Sequence, residues 1–146
     1  MPVVKFNATL NADADRVWQT LRQFGHISEW HPSILSSEIE DNQPEGLPGC
    51  RRRLVLENGE ILREQLLMAD EDRQSFSYRF IESPLPVNNY VATVSLIPLT
   101  GQNVTVIAWQ ASFEVRAHDN AQQLAAVVSD LIESGHHSLA GFLENR

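Results

Sequence analysis

A chain of 146 residues is the size of one domain and on folding buries about 68–70% of the surface its unfolded form exposes, enough for an ordinary core. With 42% hydrophobic and 21% charged residues it sits near the globular average, which argues against a disordered, fibrous or membrane-embedded class. Eleven Lys and Arg against nineteen Asp and Glu leave a net charge of −8, the wrong sign for coating nucleic acid or an anionic bilayer.

Residues 3 to 10 (VVKFNATL) read as a strand. Asn11 or Asp13 can then cap a helix whose apolar set, Ala14, Val17, Trp18, Leu21 and Phe24, falls at helical spacing and which Gly25 ends. Pro32 pushes His31 out of the helical region, so Ile27 to Ile34, with Trp30-His31-Pro32, is expected as a short turn or broken helix. From Leu35 the pattern turns to strands, about 35–41, 50–57, 60–69, 74–82, 89–98 and 103–116, separated by turn residues as in an antiparallel meander. Pro44 to Gly49 and Ser83 to Pro86 are short enough to be loops within one unit. After Arg116 the helical period returns. Asp119 or Asn120 caps, and Leu124, Val127, Val128, Leu131, Ile132, Leu139 and Phe142 mark one face of a long helix, a face that Gly135 interrupts. This order predicts an α+β helix-grip: a curved antiparallel sheet wrapped around a long C-terminal helix, with two short helices after the first strand.

Residues 1–15 carry one Lys and no apolar stretch of the roughly 7 to 15 residues a signal peptide needs, and no later run approaches the roughly 18 of a membrane span. A cytoplasmic protein without stable membrane insertion is expected. Cys50 is the only cysteine, which leaves no internal disulfide, thiolate zinc site or Cys-x-x-Cys pair and suits a reducing compartment.

The strands 50–57 and 60–69 join through Glu57-Asn58-Gly59-Glu60, and their register decides what points inward. A two-residue Asn58-Gly59 turn pairs Arg53 with Glu64, whereas a three-residue loop with Gly59 left-handed in a bulge pairs Arg52 with Glu64 and Leu54 with Leu62. The second is preferred, because it gathers Leu54, Leu56, Leu62, Leu66 and Met68 on one face, which then belongs inside and carries Arg52 and Glu64 with it. Alternation adds Tyr78 and Phe80, then Tyr90, Ala92, Val94 and Leu96, then Ile107, Trp109, Ala111 and Phe113 to that face. Aromatic walls with a few polar groups are the make-up of a small-molecule pocket. They are also the make-up of a filled core around a buried ion pair, and alternation does not separate the two.

Beside Arg52 the Glu64 carboxyl is expected to stay ionised, the guanidinium outweighing burial, which makes it a poor general base. His136 and His137 are adjacent, so they point about 100° apart, cannot share one metal as i, i+4 residues can, and read as surface residues. His31 either lines a cavity mouth and titrates near neutrality or belongs to a structural turn. Strand alternation splits Arg51-Arg52-Arg53 between two faces, which removes the contiguous patch a nucleic acid needs.

The run Asp13-Ala14-Asp15-Arg16-Val17-Trp18-Gln19-Thr20-Leu21 ahead of Trp30-His31-Pro32, then Gly49-Cys50-Arg51-Arg52, Arg63-Glu64-Gln65-Leu66 and Asn89-Tyr90, resembles the polyketide cyclase/dehydrase-like family of the START-like (SRPBCC) superfamily over nearly the whole chain. The resemblance implies a seven-stranded sheet gripping a C-terminal helix around a hydrophobic cavity. It points to carriers of lipids and hydrophobic metabolites, plant hormone receptors, and a minority of enzymes such as aromatase/cyclases, so fold leaves function open. In the similar plant abscisic acid receptors an inward Glu after the same hairpin and the Tyr of an Asn-Tyr pair match Glu64 and Tyr90, and gating loops match Glu57 to Glu60 and Ser83 to Val87. Those receptors anchor a ligand carboxylate with a cavity Lys. The one Lys here, Lys5, is on the first strand, which argues against that ligand and against Schiff-base chemistry.

The resulting expectation is one START-like domain over residues 1–146 that binds a small hydrophobic or aromatic molecule, lipid-like or polyketide-like, as carrier or sensor, with no metal and no organic cofactor. Arg52, Glu64 and Tyr90 would orient its polar end. Leu54, Leu56, Tyr78, Phe80, Trp109, Val128 and Ile132 would hold its body, with Trp30, His31, Leu85 and Pro86 at the mouth. One alternative is a cyclase/dehydrase with Glu64 and Tyr90 as catalytic groups, and another is a protein-contact domain with a filled core that works through the 83–87 loop. No nucleic-acid partner is expected, and the chain is read as a monomer or weak homodimer.

Overall fold

In the computed structural model, which describes residues 1–116 and 120–144, strand β1 (Val3–Leu10) leads into helix α1 (Ala14–Leu21). Asp13 decides where that helix starts: its backbone is extended and its carboxylate accepts from the Arg16 N–H at 2.9 Å. The buried stripe of α1 is Ala14, Val17, Trp18 and Leu21, while Phe24, expected on the same helix, lies in a following 3₁₀ turn, Phe24–Glu29. Gly25 in that turn is a close approach. A Cβ there would stand 2.8 Å from both Glu45 Oε2 and Ile39 Cγ1. Its N–H donates to Glu45 Oε2 at 2.9 Å and its carbonyl accepts from Ser37 Oγ at 2.8 Å, which fixes the neighbouring Phe24 carbonyl in place.

Strands β2 (Ile34–Ile39), β3 (Arg51–Leu56), β4 (Ile61–Asp70), β5 (Ser75–Glu82), β6 (Val87–Pro98) and β7 (Thr105–Val115) complete a seven-stranded antiparallel sheet in the order β1-β7-β6-β5-β4-β3-β2. Helix α2 (Ala121–Glu144) lies against β1 and β7. Asn120 caps it, its side-chain oxygen accepting from the Gln123 N–H at 3.1 Å; Asp119, the other candidate, lies outside the described residues. The α+β helix-grip follows, with two short helical segments after β1, the second at Phe24–Glu29 and so earlier than the Ile27 to Ile34 expected for it. Among the described residues no helix is long and apolar enough to cross a membrane.

The β3–β4 hairpin takes the three-residue register: Arg52 pairs with Glu64 and Leu54 with Leu62, and Gly59 is left-handed at φ +86°. Of the register shifts elsewhere in the sheet, those in β4 after Leu66 and in β6 after Asn88 change which side chains face inward. In β4 the pairing slips between Leu66 and Met68, so Leu66 is buried while Met68, opposite Ser77, is 40% exposed. Met68 therefore leaves the inner face to which strict alternation assigned it. In β6 the register slips between Asn88 and Val91, with Asn89 in the left-handed region at φ 52°, a conformation Asn tolerates. Val87 and Tyr90 consequently both turn inward across an uneven step.

The core gathers the inner face of β6 and β7 (Val94, Leu96, Ile107, Ala111, Phe113), α1 (Val17, Leu21) and α2 (Leu124, Val128, Leu139, Leu143). His136 joins that stripe, buried and with its ring 5.2 Å from Phe6, which corrects its assignment to the surface. It lies one turn beyond Ile132, so helical geometry carries it inward with the apolar residues. His137, next to it, is exposed and stands 3.7 Å from Glu133.

Candidate functional site

Where α2 and the sheet diverge, the interior is hollow. A cavity of about 480 Å³ lies between the inner faces of β3 to β7 and the helix, within the range of small-molecule sites. Its polar wall is built by the β3–β4 register. Arg52 and Glu64 face each other with 4% and 3% exposure, Nε and Nη2 of the guanidinium meeting Glu64 Oε1 at 2.7 and 2.6 Å. Nη1 donates to the Phe24 carbonyl at 2.8 Å, and the guanidinium lies over the Phe24 ring at 3.9 Å and the Tyr78 ring at 5.1 Å. The 3₁₀ turn thus holds the arginine from the side opposite the hairpin.

Burial pushes the Glu64 carboxyl above the ordinary carboxylate range, against the opposing pull of Arg52. The expectation that the guanidinium outweighs burial is reversed: the side chain is almost wholly withdrawn from water, and that withdrawal is the larger effect. Burial also raises both phenols, with the Glu64 charge adding to the effect at Tyr78, and Tyr78 and then Glu64 adding to it at Tyr90. Both hydroxyls stay protonated at neutral pH. Tyr90 stacks on Phe80 with ring centroids 3.8 Å apart and planes within 6°, so the β6 bulge and β5 together present one flat aromatic wall.

Of the residues expected to hold a ligand, Arg52, Leu54, Leu56, Glu64, Tyr78, Phe80, Tyr90, Trp109 and Ile132 line this cavity, as do Trp30, His31 and Leu85. Two do not. Val128 is fully buried in the core, because the stripe that touches the sheet runs through Leu124, Val128, Ile132 and His136, and its neighbours Val127 and Leu131 line the cavity instead. Pro86 is turned out of the lining by a tight turn, in which Ser83 Oγ accepts from the Leu85 N–H at 3.1 Å and the Leu85 carbonyl from the Val87 N–H at 2.9 Å. Ser83 and Pro84 face the cavity in its place.

Other lining residues had signals that strand alternation did not use. Val127 and Leu131 are 41% and 47% exposed, and their exposure is what an apolar helix face wider than its contact with the sheet leaves behind. Gly135 faces the Trp30-His31-Pro32 segment across van der Waals distance, a Cβ there lying 3.4 Å from His31 Nε2. Glu57, Asn58 and Glu60 at the hairpin tip border the same opening. Burial, then the Arg52 charge, lowers the His31 ring below its ordinary range while Glu57 pulls the other way, and the ring is neutral at pH 7. His31 Nδ1 and Trp109 Nε1 are buried without a hydrogen-bond partner.

The profile described as "Polyketide cyclase / dehydrase and lipid transport" matches residues 1–144. No curated protein matches. Among solved structures the chain is similar to a protein from Nitrosospira multiformis at 28% identity and a TM-score of 0.79, over 96% of this chain and 94% of that one. It is also similar to a Thermobifida fusca protein at 26% identity and a TM-score of 0.83, over 96% of this chain and 91% of that one. A START superfamily protein from Mycobacterium smegmatis, 18% identical, shares the fold with a TM-score of 0.82 over 98% of this chain and 97% of that one. The chain belongs to the polyketide cyclase/dehydrase and lipid transport family, with the START-like helix-grip fold.

Proposed function

We propose that the protein binds a small hydrophobic or aromatic molecule in its interior cavity, as a carrier or sensor. One observation carries the reading: a hollow of about 480 Å³ walled largely by aliphatic and aromatic side chains, with Arg52, Glu64, Tyr78 and Tyr90 forming a polar wall and Glu57, Asn58 and Glu60 bordering the opening. Family membership and the START-like fold support a hydrophobic ligand. A cyclase or dehydrase in the same cavity is the second reading, favoured by the raised Glu64 carboxyl, which can exchange a proton closer to neutral pH than an ordinary carboxylate. Against it, the raised Tyr78 and Tyr90 phenols are weak acids and slow proton donors.

Amide NMR titration of labelled protein against fatty acids, sterols and polycyclic phenols tests both readings when each compound's own spectrum is followed over hours. Shifts confined to residues around Arg52, Glu64, Tyr90 and Trp109 with the compound unchanged are the expected result. Conversion of a bound compound would make the protein an enzyme, and no localised shift with any compound would overturn the binding reading.

A further inference from the structure

The polar wall also constrains the chemistry of what can enter. Arg52 is the only Lys or Arg among the described lining residues, and all three of its guanidinium nitrogens are engaged, two by Glu64 and one by the Phe24 carbonyl. Both contacts from Arg52 fall on Glu64 Oε1. No described residue donates to Oε2 or hydrogen-bonds the hydroxyl of Tyr78 or Tyr90, and none of these oxygens is among the sealed polar atoms of the interior. At the mouth, Glu57 and Glu60 add further negative charge.

An anionic headgroup would meet three carboxylates and a guanidinium already occupied, and would give up its hydration without gaining a counter-charge. A hydroxyl fits differently. Its O–H can donate to the carboxylate while its oxygen accepts from a tyrosine hydroxyl, and a hydrogen bond to a charged acceptor is among the strong ones. We propose that the site takes an uncharged ligand through an alcohol or phenol hydroxyl bound between Glu64 Oε2 and the tyrosines, and selects against the matching carboxylate. This inference rests on the cavity-binding reading above.

The test uses two matched series on the intact chain near neutral pH: naphthol, methoxynaphthalene and naphthoate, and decanol, decyl methyl ether and undecanoate. Within each series the apolar body is constant and only the polar group changes. Calorimetry and amide NMR should show the alcohol binding about tenfold or more tighter than the ether, the effect of one hydrogen bond to a charged group, and the carboxylate binding weakest. Glu64→Gln should shrink the alcohol-to-ether ratio, whereas Tyr90→Phe should weaken alcohol and ether alike and keep it. If Glu64→Gln does not fold, the wild-type ratios and Tyr90→Phe decide. A carboxylate that binds as well as its alcohol, or an ether that matches it, overturns this inference and leaves the cavity-binding reading standing. Failure of all six compounds to move any cavity amide overturns that reading and this inference with it.

Discussion

Removing either partner of the buried Arg52–Glu64 pair should destabilise the fold, but only one of the two variants should carry a pH dependence from this site. Glu64→Leu leaves a guanidinium that is 4% exposed with only the Phe24 carbonyl and two aromatic faces for company, and an arginine cannot shed its proton to escape. The expected cost is about 3–5 kcal/mol, and the variant's own stability should carry no pH dependence from this site. Arg52→Met leaves a carboxyl that can escape by taking a proton. Without the guanidinium, burial alone acts on Glu64 and raises it further above its ordinary 4.5. The folded state then holds a proton that the unfolded state has lost, so stability is full below pH 4.5 and falls as pH rises toward the folded value. The slope is about 1.4 kcal/mol per pH unit within that window. The double variant Arg52→Met/Glu64→Leu removes both charges and should return to within about 1 kcal/mol of wild type, or exceed it. Urea denaturation of the four proteins at several pH values between 5 and 8 reads all of this. Equal costs for Arg52→Met at both ends, or a double variant as unstable as the worse single, would refute the picture of a dry, mutually dependent pair.

Other outcomes follow from the same geometry. Because burial and Arg52 lower the His31 ring, the folded state binds fewer protons than the unfolded one between that lowered value and 6.5. Stability is therefore present above pH 6.5 and lost as pH falls through the window, and His31→Gln should flatten that limb of a plot of thermal midpoint against pH. A residual slope of the same sign should remain, since burial and then His137 also lower His136. On α2, Leu139→Ala should cost about 2–5 kcal/mol in denaturant unfolding, because the side chain is wholly buried. Leu131→Ser, at a 47% exposed position, should stay within about 0.5 kcal/mol yet weaken binding of a cavity ligand, and a large stability loss would show that the residue is core. Asp13→Ala should cost about 1 kcal/mol through loss of the helix cap, measurable in the same unfolding experiments.

Much of the polar wall was legible because one choice of hairpin loop determined it. Gathering Leu54, Leu56 and Leu62 on one face brought Arg52 opposite Glu64 with no further assumption, and the structure has that pairing. The places where legibility failed share a physical cause. Period-two alternation has no means of counting an extra residue, so the β4 bulge moved Met68 to the outside. Helical periodicity shows a stripe but not how much of it the sheet covers, so it does not separate Val128, which is in the core, from Val127 and Leu131, which line the cavity. Whether burial or the guanidinium dominates at Glu64 is not legible in the sequence, because that balance depends on depth. The hollow itself was invisible, being a distance between elements and not a property of any residue.

The left-handed Asn89 bears on how such a cavity could change over time. A bulge bends its strand and re-aims what is attached to its end, and here the attachment is the Ser83–Val87 segment at the cavity opening. Deleting that one residue would leave Val87 and Tyr90 facing inward by plain alternation, while straightening β6 and swinging the segment to a new angle. Relatives with the same wall residues could therefore differ in aperture through a single insertion or deletion in the backbone. Transplanting side chains between two such proteins would carry over the lining and leave the doorway behind.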